Sequence, residues 1–131
     1  MLKVFYVVAS IFSAFNAVWM LVFPFSWYMD FPAAVQHTGS FNPHFVRDIG
    51  VVYMTVAIGF AWCALRPERS LAVHLGITIF FAGHALLHLL EILTGRLPAS
   101  HWLIDTPLVF LPAAIMILLA VPSVRRRFGY A

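Results

Sequence analysis

The chain has 131 residues, 63% of them hydrophobic and 10% charged, with a formal net charge of +3. Soluble domains are typically about 25% charged, and small ones bury the smallest share of their surface, so this composition excludes an ordinary water-soluble fold and makes a bilayer the expected solvent. The single cysteine, Cys63, excludes an internal disulfide and a Cys-x-x-Cys metal site, and reads as a small packed hydrophobe.

The expected architecture is all-α: one transmembrane domain over residues 1–131, built as a four-helix bundle with helices at about 4–23, 43–65, 71–94 and 101–121. Each segment is near the roughly 20 residues that cross a ~30 Å hydrocarbon core. Strands are ruled out because an open sheet leaves backbone groups unpaired in lipid. The first segment carries Lys3 and the small-residue run "SAFNA", as a signal peptide would. Its apolar run continues to Phe23, so it reads as a retained span. The connection 24–44 contains "FPFSWYMDF", an aromatic belt suited to the membrane interface, with a short piece lying flat. Asn42-Pro43 reads as an N-cap followed by proline at the first helical position. Ser70 and Ser100 are candidate caps for the third and fourth helices, and Gly95 a candidate stop for the third.

Basic residues set the expected orientation. In a four-span topology Lys3, Arg66, Arg69 and Arg125 to Arg127 fall on one side, and Arg47 and Arg96 on the other. Lys and Arg stay cytoplasmic, which places both termini inside and loops 24–44 and 94–101 outside. The triple arginine directly follows a span, so it reads as a topology anchor and anionic-lipid contact rather than a nucleic-acid site.

Polar residues inside spans are costly and usually face the bundle interior. The second helix carries His44 and Asp48, and the fourth carries His101 and Asp105, each pair spaced i,i+4. The third carries "GHALLHLLE", in which His84, His88 and Glu91 share one face. Counted along each helix at 1.5 Å per residue, these groups fall in one outer layer. Arg47 is expected to reach Asp48, Glu91 or Asp105, and Asn16 to face the lower edge of the layer. His37 reads as a solvated loop residue and His74 as a structural one near the inner end. The seven outer residues have plainer readings too. Asp105 can cap a helix start, Asp48 can pair with Arg47 or Arg96, and His44 and His101 can sit at the interface. Residues 38–48 and 94–105 echo each other, with Thr-Gly followed by His-aromatic-x-x-Asp, as in a parallel internal repeat.

Isolated buried charges must pair, neutralise or coordinate an ion. The leading expectation is therefore a site for a transition metal (Zn, Fe, Mn or Cu) or haem, with redox activity as an extension. A bis-histidine haem would need His44 or His101 as its second axial ligand. The alternative is a proton-coupled carrier or proton relay. A further alternative is an accessory subunit whose polar cluster only locks helix packing. The expected partners are the bilayer and a homo-oligomer or membrane-complex subunit, with no nucleic acid.

The aromatic outer loop followed by "TGSFNPHFVRDIGVVY" and "GHALLHLLE" resembles small four-span bacterial membrane proteins that are DoxX-like. The resemblance implies a four-helix bundle in the bacterial inner membrane and, for some members, partnership with quinone-linked redox systems. It implies no site residue.

Overall fold

The structure is a computed structural model and describes residues 2–130. Among these, seven α-helices run in order: α1 (Leu2–Val22), α2 (Pro24–Asp30), α3 (Pro43–Leu65), α4 (Leu71–Leu93), α5 (His101–Ile104), α6 (Leu111–Ala120) and α7 (Pro122–Arg127). No strand occurs among the described residues. α1, α3 and α4 are long and apolar enough to cross a membrane. α1 packs chiefly on α3, α3 on α4, and α4 on α6. The core is a row of aromatic rings across these helices: Tyr6 lies 6.1 Å from Phe60, and Phe60 lies 6.2 Å from Phe81, between ring centroids.

Local chemistry explains the boundaries. The Asn42 side chain accepts from the backbone N–H groups of His44 and Phe45, and Pro43 opens α3 at no cost in hydrogen bonds. α4 ends at Leu93, and Gly95 takes φ +72°, where a side chain would be strained. Ser70 and Ser100 do not act as side-chain caps. The Ser70 hydroxyl turns back to the Pro67 carbonyl at 2.7 Å instead, because Pro67–Arg69 forms a tight 3₁₀ turn beneath it. Two glycines let helices close up. A Cβ at Gly50 would stand 3.0 Å from Met20 Cβ and 3.3 Å from the Ala17 carbonyl, and one at Gly59 would stand 2.9 Å from Ile77 Cδ1.

The fourth segment departs most from expectation. It is not one continuous helix over 101–121. α5 is one turn long, a π-helical turn occupies Thr106–Phe110, and regular helix resumes only at Leu111. Pro107 and Pro112 supply the reason. Each lacks a backbone N–H and crowds the carbonyl four residues earlier, so the regular ladder cannot run through. The Asp105 carbonyl accepts from both Val109 and Phe110, at 2.8 and 3.1 Å, which closes the widened turn. α2 is a seven-residue helix fixed to α1 by the Trp27 indole, which donates to Asn16 Oδ1 at 2.8 Å.

Candidate polar relay at the His37 end of the bundle

The short α5 and the π turn bring Asp105 against α4. His88 Nδ1 lies 2.7 Å from Asp105 Oδ2, and His101 Nδ1 lies 3.0 Å from each Asp105 oxygen. Asp105 and His101 are fully buried, and His88 nearly so. His101 Nε2 in turn lies 3.0 Å from His37 Nδ1, and His37 is exposed. Donor arithmetic assigns the hydrogens for an ionised Asp105 between neutral imidazoles. An ionised carboxylate only accepts, so His88 and His101 both donate through Nδ1. His101 Nε2 is then an acceptor and takes the His37 Nδ1–H. The result is a continuous chain, His88–Asp105–His101–His37, from the bundle interior to the surface.

His84 sits one turn below. Its ring meets His88 edge-on, with centroids 4.6 Å apart, and stacks parallel to Phe80 at 6.2 Å. Neither imidazole nitrogen of His84 hydrogen-bonds within the described residues. His84 and His88 line a cavity of about 630 Å³ between α1, α3, α4 and the fourth segment. α1 does not pack broadly against α6, and the cavity fills that gap.

Of the residues expected in the outer layer, His84, His88, His101 and Asp105 meet. His44, Asp48 and Glu91 do not join them. His44 and Asp48 pair with each other at 3.5 Å, with side chains 88% and 60% exposed. α3 turns Val46 and Gly50 toward its neighbours, which leaves positions 44, 47 and 48 outward. Arg47 accordingly does not reach the polar layer. It is exposed, and its Nε donates to the Leu21 carbonyl at 3.2 Å. Glu91 is half-buried on the cavity wall, and its carbonyl closes the turn after α4 by accepting from Arg96 and Leu97. Asn16 is buried and reaches the cavity, but its bond is to Trp27 rather than to the histidines. His37 is the member that sequence reasoning missed. It lies in a loop 64 residues from His101, and its one signal is a histidine in the outer connection.

A second polar network closes the opposite end. His74 is fully buried, and its Nε2 lies 3.0 Å from the Met116 carbonyl. That carbonyl only accepts, so Nε2 carries the hydrogen and Nδ1 accepts from the Tyr6 hydroxyl at 3.0 Å. Arg125 donates to the Tyr6 oxygen at 3.2 Å and to Ser70 Oγ at 2.6 Å, with its guanidinium 5.7 Å from the Tyr130 ring centre. Burial pushes the Tyr130 phenol above its ordinary range. Every polar group of His74 is matched, which is the structural role its position suggested.

No protein-family model matches the chain, and neither a curated protein nor a solved structure shows significant similarity to it. The site is therefore read from its own geometry.

Proposed function

We propose that this is a four-span inner-membrane protein of bacterial type, with both termini cytoplasmic, whose outer end passes protons between an internal apolar cavity and the surface. One observation carries the reading: the buried Asp105 carboxylate is shared by His88 and His101, and the chain continues to the exposed His37. A proton arriving at His88 Nε2 lets the ring pass its Nδ1 proton to Asp105, which neutralises the buried carboxylate; release to the surface follows once His101 and His37 exchange donor and acceptor roles, so that Asp105 gives its proton to His101 Nδ1 and His101 Nε2 gives one to His37. Imidazole suits the task because its ordinary pKa lies close to neutral pH. The π turn supports the same reading, because such irregular turns recur at functional positions.

Nitrogen-15 NMR of histidine-labelled protein in bilayers tests this. His88 and His101 should carry hydrogen on Nδ1 and not on Nε2. Hydrogen exchange at the His88 ring should slow by about tenfold in His37→Ala, the equivalent of one lost hydrogen bond. Exchange unchanged by that substitution would exclude a relay through His37.

A second reading is a metal ion held by His88, His101 and Asp105, because one donor atom from each lies within 4.8 Å of the others. A two-histidine, one-carboxylate set suits Zn, Fe, Mn or Cu. His37 would then orient His101 from behind, as outer partners of metal-bound imidazoles do. The geometry favours a single ion over haem, because the two imidazoles converge on one carboxylate rather than facing each other across a ring. The short 2.7 Å contact between His88 and Asp105 is that of a charge-assisted hydrogen bond and favours the relay over the metal. Elemental analysis of the purified protein separates the two: about one equivalent of metal, lost in Asp105→Asn, would replace the relay with a metal centre. The four-span DoxX-like resemblance and an accessory role in a membrane complex belong to the same set of proposals. Purification in mild detergent with a stoichiometric partner would support the latter.

A further inference from the structure

The cavity has a direction. On α1 its lining runs from Phe5 to Met20, roughly 22 Å at 1.5 Å per residue. Most of that wall is apolar. The polar groups gather toward one end, where Asn16, His84, His88 and Glu91 approach it. All four carry unspent hydrogen-bonding capacity, and the Glu91 carboxylate makes no hydrogen bond among the described residues. His88 uses Nδ1 on Asp105, and its Nε2 has no partner among the described residues. His84 has none there for either nitrogen. Asn16 uses its oxygen on Trp27, and its two amide hydrogens have no acceptor among the described residues. No fully enclosed side-chain nitrogen or oxygen lacks a partner in the described residues, so these unspent atoms border open space.

We infer that the cavity binds a slender apolar molecule with a single hydroxyl head, of the lipophilic phenol or alcohol class, with the head held between Asn16, His84 and His88. Head-group chemistry selects this class. The His88 Nε2 lone pair calls for a donor, and the Asn16 amide hydrogens call for an acceptor. A hydroxyl is both. An ammonium head has no acceptor for Asn16. A carboxylate head would meet the Glu91 carboxylate on the same wall, and neither Lys nor Arg lines the cavity among the described residues. The gap between α1 and α6 gives an apolar body access from the lipid side: Val8 and Phe12, which also line the cavity, are 59% and 51% exposed. The inference deepens the relay reading and rests on it in one respect, the Nδ1–H form of His88. A hydroxyl bound at Nε2 is the group whose proton the relay would handle.

The test uses the full chain in lipid nanodiscs and calorimetric titration with three probes of one shape: 4-octylphenol, its methyl ether 4-octylanisole, and 4-octylbenzoate. The phenol should bind about tenfold more tightly than the ether, the ratio set by one buried hydrogen bond, and the benzoate most weakly. His88→Phe should erase the phenol–ether difference, and Ala9→Phe, which narrows the apolar part, should weaken both. Equal binding of phenol and ether by the native chain, tightest binding of the benzoate, or no binding of any probe would each overturn the inference. These comparisons use the native chain, so they stand even if His88→Phe fails to fold. The relay is read from ring nitrogens without any probe. Nδ1–H histidines with no phenol preference would sink the cavity proposal alone.

Discussion

Asp105 concentrates the chemistry of the His37 end in one side chain, so its removal is the sharpest residue-level test. Asp105→Asn puts an amide NH₂ against an imidazole donor and removes a charge that two rings share. It should lower unfolding free energy in mixed detergent micelles by about 1–3 kcal/mol. Asp48→Asn, on an exposed pair, should stay within about 0.5 kcal/mol. The opposite ranking would place the important carboxylate on α3. At the opposite end Tyr6 joins His74 to Arg125 through one oxygen. Tyr6→Phe should therefore cost about 1–2 kcal/mol in the same assay, and an unchanged midpoint would show that this network does not hold the bundle. The sequence was informative about depth here and poor about facing. His88, His101 and Asp105 meet because their heights match along opposed helices. His44 and Asp48 lie at the right height on the wrong side, because the helix surface that carries Val46 and Gly50 is the one that packs. His37 sits in the short 3₁₀ turn Val35–Thr38 between α2 and α3, too short for period or depth to be counted from sequence.

Among the elements, the packing of α3 depends on what its glycines lack. Gly50→Val would force a branched side chain against Met20 and the Ala17 backbone, which has nowhere to retreat. It should destabilise by about 1–3 kcal/mol, the usual cost of overpacking. Gly76→Ala on α4 meets nothing within 4 Å and should be neutral or slightly stabilising, because alanine favours helix. Thermal unfolding of the two variants in one detergent checks the pair, and equal midpoints would mean that α1 and α3 do not approach as closely as described. Helix limits were legible where punctuation is strong, at Asn42-Pro43 and at Gly95. The break in the fourth segment also had its signal, two prolines five residues apart inside an apolar run. Hydrophobicity alone hides it, because lipid-facing composition stays the same whether the backbone is α, π or kinked.

For the whole molecule, the distribution of arginine predicts orientation. A reporter fused after Tyr130 should be active when it requires the cytoplasm and silent when it requires the periplasm. The reverse result would put the His37 end inside the cell. The interrupted fourth segment also acts on the bilayer around the molecule. Thr106–Ala120 reaches roughly 22 Å at 1.5 Å per residue, against a ~30 Å hydrocarbon core. In the proposed four-span arrangement the lipid beside this segment would dimple, bringing head groups and water down toward His101 and leaving α1, α3 and α4 in membrane of ordinary depth. Acyl-chain length then becomes a variable the protein responds to. Nanodiscs of shorter-chain lipid should raise its thermal midpoint and longer-chain ones lower it, whereas a helix running unbroken through 101–121 would be insensitive. A membrane that thickens would tend to seal the histidine end from water, and one that thins would wet it.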